Sequence, residues 1–376
     1  MARTQDYGLG KFTFPRGWFV IADAAQLGDR PLALHYFGRD FVLFRGKASG
    51  KPILLDAYCP HMGTHLGINT TSYVVRDGAH IEGDAIRCPY HGWRFRADGQ
   101  CDDIPGLKGP IPKAACVRSW PVHEAMGAIW VWHDEEGLEP EWEAPDLPEW
   151  HDPAWVHWKL DHLGTLPIHP QEIVDNIADM AHFGPIHGSE VEFFENEFRG
   201  HKAIQRMIGP HRTLAHTCEK LHTDTTYHGP GFLLSYMKGR HPAIMFIANT
   251  PVDDGVTSAW FGVLVKSSHA VATEEDVAMA RAFQEDGKAA FVQDFEVWAN
   301  KRPALSVLQV NADGPFHLER TWYRQFYNPR ANRDEYLKRV EGVHRIKDVL
   351  GMQPSAEGTG AAASPSAPAG RVAVEG

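Results

Sequence analysis

The sequence predicts an α+β protein, with an all-β N-terminal part followed by a part that combines an antiparallel sheet with long helices. Over residues 14–134, short β-prone runs such as Trp18-Phe19-Val20-Ile21, Phe41-Val42-Leu43-Phe44, Ile53-Leu54-Leu55 and Ala128-Ile129-Trp130-Val131-Trp132 are separated by Gly, Asp and Pro. Further strand-like runs follow at 213–221, 232–237, 243–250 and 258–265, flanked by helical patterns at 171–183, 273–300 and 333–350. Thr273 with Asp276 three positions on forms a capping-box signature for the middle helix. Strands followed by long helices read as α+β.

The 376 residues, 43% of them hydrophobic, suffice for two domains with ample core. The Pro-, Glu- and Asp-rich stretch 139–153 suits an exposed linker, which divides the chain into 1–138, 139–153, 154–351 and a tail at 352–376. That tail is mostly Ala, Gly, Ser and Pro, a composition that cannot bury enough surface to order itself. A formal charge of −11 without a long basic run argues against nucleic acid and anionic membranes as partners. The N-terminus lacks the apolar segment of a signal peptide, and no apolar run reaches the ~18 residues of a membrane span, so a cytoplasmic protein is expected. Five cysteines fit a reducing compartment, with Cys101, Cys116 and Cys218 read as plain buried thiols. Most of the 22 histidines, His151, His157, His162, His169 and His201 among them, are read as structural or exposed.

Two bursts stand apart, Cys59-Pro60-His61 and Cys88-Pro89-Tyr90-His91, each followed by a glycine (Gly63, Gly92). Two thiolates and two imidazoles on proline-stiffened loops match the donor set of a Rieske 2Fe-2S cluster, one iron taking sulfur and the other nitrogen. Tetrahedral zinc accepts the same set, so spacing alone leaves both open.

A second constellation lies at Asp175-Asn176-Ile177-Ala178-Asp179-Met180-Ala181-His182-Phe183-Gly184-Pro185-Ile186-His187. On a helix Asp175, Asp179 and His182 share one face, and Gly184-Pro185 ends the helix so that His187 can swing back toward His182. Two histidines and one carboxylate make the facial triad of non-haem Fe(II), which keeps positions open for O₂ and substrate. The carboxylate must come from elsewhere. In the helix at 273–300, Asp294 shares an apolar face with Phe291 and Trp298, and an acid there needs a partner. Metal coordination supplies one; an ion pair, with Lys301 for instance, is the alternative.

The flanking residues resolve the family. Cys-Pro-His-Met-Gly-Thr-His-Leu and Cys-Pro-Tyr-His-Gly-Trp resemble the two ligand loops of Rieske proteins, and Asn176, Asp179, His182 and His187 carry the Asn-x-x-Asp-x-x-His-x-x-x-x-His motif of Rieske non-haem iron oxygenases. Within that family, Gln293-Asp294-Phe295-Glu296-Val297-Trp298-Ala299-Asn300-Lys301, Asp313-Gly314-Pro315 and residues 320–327 are similar to the 3-ketosteroid 9α-hydroxylase oxygenase type. The resemblance spans residues 14–330. It implies a Rieske domain with Cys59, His61, Cys88 and His91 holding one 2Fe-2S cluster, then a helix-grip-like catalytic domain with mononuclear Fe(II) on His182, His187 and Asp294. It also implies homotrimers in which Asp179 bridges the cluster of one subunit to the iron of the next. A separate NAD(P)H-dependent reductase or ferredoxin is needed, because no nucleotide-binding motif is present. Asn176 falls where the family places a residue near the iron, or is a helix-surface amide.

The expected activity is that of a terminal monooxygenase, hydroxylating with O₂ a bulky hydrophobic substrate such as a steroid, another polycycle or a terpenoid. Oxidative O- or N-demethylation is the alternative within the enzyme class, and a Rieske electron carrier is the alternative outside it. A carrier has no use for the second histidine-aspartate set. The apolar runs at 232–234, 245–247 and 260–264 fit a hydrophobic pocket, or plain core. One departure from the family is the 26-residue gap between His61 and Cys88, with 69–83 as the insertion and His80 read as a loop histidine.

Overall fold

The computed structural model describes residues 1–212, 219–239 and 241–352. Cys218, most of the run at 213–221 and the tail from 353 onward lie outside these residues. The N-terminal part holds β1 (Gly17–Asp23), β2 (Leu32–Tyr36), β3 (Arg39–Arg45), β4 (Pro52–Asp56), α1 (Tyr73–Arg76), β5 (Ile81–Glu82), β6 (Ala85–Arg87), β7 (Arg94–Arg96), β8 (Cys101–Asp103), β9 (Ser119–Trp120), β10 (Val122–Ala125) and β11 (Ala128–His133). They form three antiparallel sheets in the orders β1-β11-β10, β2-β3-β4-β9 and β5-β6-β7-β8. The predicted runs sit inside β1, β3, β4 and β11, whose apolar residues are buried on both faces because sheets pack on either side.

The second part holds β12 (Trp155–Val156), β13 (Asp161–Leu166), α2 (Pro170–Val174), β14 (Phe193–Arg199), β15 (Lys202–Pro210), β16 (Lys220–His228), β17 (Phe232–Lys238), β18 (Ala243–Asp253), β19 (Val256–Lys266), α3 (Glu274–Asn300), α4 (Phe316–Tyr323), α5 (Arg333–Val340) and β20 (Gly342–Asp348). The strands form one antiparallel sheet ordered β12-β19-β18-β17-β16-β15-β14-β20, with β13 also on β19. Helix α3 starts at the expected capping box, Thr273 and Asp276 each bonding the other's backbone N–H. It lies against the sheet through Phe291 and Trp298, and the Phe291 ring stacks on Phe261 at 6.1 Å. Gly287 allows the close approach, since a Cβ there would come within 3.1 Å of the Phe261 ring.

Several expectations are corrected. The helix at 171–183 is broken: α2 gives way to a 3₁₀ turn at Asp175–Ile177, and a second 3₁₀ turn covers Ala181–Phe183. The helix at 333–350 stops at Val340, and Gly342–Asp348 becomes an edge strand because β14 leaves a backbone edge open to pair with it. The stretch 139–153 is not simply exposed: Leu147 is buried, Trp142 stacks on His201 at 4.6 Å, and Glu141 accepts from Arg16 Nε at 2.5 Å. His80 lies in the loop before β5 as expected, but it is buried and its Nε2 donates to the Leu66 carbonyl at 2.6 Å, tying the insertion to the loop after Cys59.

Candidate metal centres and active site

The two Cys-His loops are built alike. Gly63 N donates to Cys59 O at 2.9 Å and Gly92 N to Cys88 O at 3.1 Å, while Cys59 N and Cys88 N donate to Thr64 O and Trp93 O at 2.9 and 2.7 Å. Each turn needs its glycine, with φ +71° at Gly63 and +75° at Gly92. Cys59 and Cys88 are buried and share a hydrogen bond, which pulls the Cys88 thiol down to about 6 and pushes Cys59 up. Two buried sulfur donors close enough to share a hydrogen bond, with two imidazoles beside them, fit a metal cluster. His61 and His91 stand above them on the surface, ring centroids 4.5 Å apart, and His61 stacks on Trp93 at 4.5 Å. Sulfur donors inside and nitrogen donors outside put the imidazoles on the side open to another molecule. Around them Tyr58, Met62 and Tyr90 are half or more exposed.

In the second part, ligand atoms of His182, His187 and Asp294 lie within 4.8 Å of one another. The break after Asp175 is what allows this. His182 Nδ1 donates to the Asp179 carbonyl at 2.7 Å, which leaves Nε2 as a lone pair free to bind a metal. The expected break at Gly184-Pro185 is not formed: the backbone stays helical there, with Ile186 N, His187 N and Gly188 N donating to His182 O, Phe183 O and Gly184 O, and His187 stands on this turn with Nε2 3.6 Å from Asp294 Oδ2. Its Nδ1 contacts Gln293 Oε1 at 3.3 Å, a bond that fixes the ring. Asn176 Nδ2 donates to Asp294 Oδ2 at 3.2 Å, so it touches the carboxylate rather than solvent. Lys301 does not pair with Asp294; it pairs with Glu172 at 2.5 Å. Two imidazoles and a buried carboxylate that pairs with no Lys or Arg among the described residues suit a divalent ion.

The expected common face of Asp175, Asp179 and His182 is not formed. Asp175 turns the other way, held by Arg320 at 2.5 and 2.9 Å and by Gln171 at 2.9 Å. Asp179 accepts from the backbone N–H of Ala181 and His182 at 3.0 and 3.2 Å and lies 3.7 Å from His182 Nδ1. Burial works against charge on both groups, yet their contact outweighs it, holding Asp179 below and His182 above the ordinary values.

His182, His187 and Asp294 open onto a cavity of about 1150 Å³. Its floor is the inner face of β15 to β19, where alternate residues such as Met207, Leu233, Met245, Ile247 and Val263 point inward. Sequence reading missed β14, β15 and the Gln293 contact. The Arg199-Gly200-His201-Lys202 hairpin turn, with Gly200 at φ +56°, was the available signal for the two strands.

Among the described residues, no helix is long and apolar enough to cross a membrane. Residues 17–121 match the Rieske [2Fe-2S] domain and residues 131–327 the 3-ketosteroid 9α-hydroxylase C-terminal domain. The chain is 34% identical over 358 residues to a probable 3-ketosteroid-9-alpha-monooxygenase oxygenase component of Rhodococcus rhodochrous, covering 90% of this chain and 86% of the relative. It is 30% identical to the 3-ketosteroid-9-alpha-monooxygenase oxygenase component of Mycobacterium tuberculosis, covering 90% and 89%. The fold is that of Pseudomonas putida CBB5 NdmA, solved as a QL mutant with theobromine, with TM-score 0.65 and 18% identity over 89% of this chain and 97% of that one. Paired cysteine-histidine loops, a histidine-aspartate set at the cavity wall and matches along nearly the whole chain lead to one conclusion: this is a Rieske oxygenase of the 3-ketosteroid 9α-hydroxylase oxygenase family.

Proposed function

We propose that this protein is the terminal oxygenase of a two-component monooxygenase that hydroxylates a steroid or comparably sized polycyclic substrate. The observation that carries the reading is the position of His182, His187 and Asp294 at one wall of a large cavity with an apolar sheet floor. Ferrous iron bound there would supply the O₂-activating chemistry, with electrons arriving from the cluster. The chain's residues do the rest: Asn176 and Gln293 orient Asp294 and His187, and the apolar floor holds the substrate and excludes water.

In this reading Cys59, His61, Cys88 and His91 hold the cluster, and the 139–153 stretch divides a Rieske domain from a catalytic domain. The surface position of His61 and His91 supports electron transfer between molecules, consistent with a homotrimer in which Asp179 is the bridge, fed by a separate NAD(P)H-dependent reductase or ferredoxin. Cys101 and Cys116, outside the cluster loops and not in a disulfide, favour a cytoplasmic location. The test is turnover with a surrogate reductase, offering steroids, terpenoids and methoxyaromatics and reading product mass. Gain of one oxygen on a steroid is expected; loss of a methyl from a methoxyaromatic, with steroids untouched, rejects the reading.

A further inference from the structure

One row of the cavity floor begins polar and ends apolar. The sheet register sets Gln205, Thr225, Ser235, Met245 and Val263 side by side across β15 to β19. Thr225 and Ser235 share a hydrogen bond of 2.6 Å. Gln205 is only half satisfied. Its Nε2 donates to the carbonyls of Ile177 and Asn176 at 2.9 and 3.3 Å, and these acceptors fix which way the amide faces, because Oε1 in that place would meet two other carbonyl oxygens. Oε1 therefore points elsewhere, and no donor among the described residues reaches it. The Oε1 atoms of Gln171, Gln284 and Gln325 lack a donor too, but they are sealed in protein; that of Gln205 is not. Gln205 is 4% exposed and lines the cavity, so the open surface of its oxygen belongs to the cavity. It lies at the end beside the histidine-aspartate set, since Asn176, whose carbonyl it binds, holds Asp294 through its own side chain at 3.2 Å.

Water can donate to this oxygen while the cavity is empty. A bulky polycyclic ligand expels that water, and the amide oxygen is then left unpaired unless the ligand brings a donor of its own. A hydroxyl group brings one. A ketone at the same place brings a second acceptor, so two carbonyl oxygens face each other with no hydrogen between them. Sites that hold a polar group for a substrate discriminate strongly against the analogue that lacks the matching atom. We infer that Gln205 is a specificity-determining residue: its Oε1 accepts a hydrogen bond from a hydroxyl group on an otherwise apolar polycyclic substrate and so favours that alcohol over the corresponding ketone. This rests on the substrate class proposed above and adds the group that reads the oxidation level of the substrate's oxygen.

The experiment measures equilibrium binding of two matched pairs, 5α-androstan-3β-ol with 5α-androstan-3-one and 5α-androstan-17β-ol with 5α-androstan-17-one, and of 5α-androstane, to the holoenzyme and to its Gln205→Met form. Methionine keeps the length of the side chain and removes both amide groups, so the lost bond to Ile177 weighs on every ligand alike and the alcohol-to-ketone ratio isolates Oε1. One alcohol is expected to bind wild type about 5- to 30-fold more tightly than its ketone, and Gln205→Met is expected to bring that ratio close to one, with the iron content of both forms showing that the site stays assembled. Alcohols that bind wild type no better than their ketones overturn the inference whatever the variant does, and so does a preference that survives in Gln205→Met; both results leave the steroid reading standing. Failure of all five compounds to bind wild type overturns the steroid reading and this inference with it.

Discussion

Around Cys59 and Cys88, each donor pair sits within four residues of chain and is shaped by its own turn, with Gly63 and Gly92 bonding back to the cysteine carbonyls. Around His182 the donors come from three places: a 3₁₀ turn at Ala181–Phe183, the chain beyond Gly184, and α3 more than a hundred positions later. The first site is held by local backbone geometry, the second by the packing of α3 on the sheet. A local site tolerates change elsewhere, whereas a site assembled across the fold is exposed to any change that moves one wall. Substitutions should therefore uncouple the two regions in a graded way.

The largest effect belongs to Asp294→Ala. It should eliminate mononuclear iron and turnover while leaving the visible absorption of the cluster in place, and Cys88→Ser should remove the cluster absorption and turnover while leaving the mononuclear iron; iron content and absorbance measured together check both. If Asp294→Ala also bleaches the cluster, the two sites are not independent. Asp179→Asn should retain both metals and nearly abolish electron delivery, seen as a cluster that reduces normally yet reoxidises slowly with substrate and O₂. Normal turnover in that variant removes Asp179 from the electron path.

Next comes Asn176→Ala, which deletes the donor to Asp294 and should weaken iron binding about 10- to 100-fold with unchanged cluster spectra. Gly314→Ala probes the wall directly. A Cβ there would lie 1.7 Å from the Ala178 carbonyl, so the turn before α4 must retreat from the 3₁₀ segment, at a cost of about 1–3 kcal/mol in thermal or denaturant unfolding. Iron retention should fall with it, whereas the cluster should not respond.

At neutral pH the smallest effect comes from two buried histidines, which act only on acid stability. His133, in the N-terminal part, and His169, in the catalytic part, are buried, and burial brings them down to about 4 and about 3. Both stay neutral in the fold but take up a proton on unfolding below about pH 6.5, so their stability contribution is intact above that pH. It is lost as pH falls toward 4 for His133 and toward 3 for His169. His133→Gln should flatten the dependence of unfolding free energy on pH by about 1.4 kcal/mol per unit between those limits, measured against wild type in denaturant titrations.

What could be read from the chain alone was everything with a short period. Cys59-Pro60-His61 and Cys88-Pro89-Tyr90-His91 announce their chemistry because the donors are neighbours, and Phe291, Asp294 and Trp298 announce a face because three- and four-residue steps define one. The strands β1, β3, β4, β11 and β17 to β19 followed from short β-prone apolar runs bounded by turn residues. The tertiary structure alone decided which carboxylate turns to which partner. Asp175 and Asp179 looked alike on a helix, but α4 brings Arg320 to Asp175, while the helix breaks before Asp179 and its carbonyl is left to orient His182. Likewise Lys301 meets Glu172 rather than Asp294. Helical and strand periods are encoded by adjacent residues, whereas the partner of a buried charge or hydroxyl is set by elements that meet only after the chain has folded.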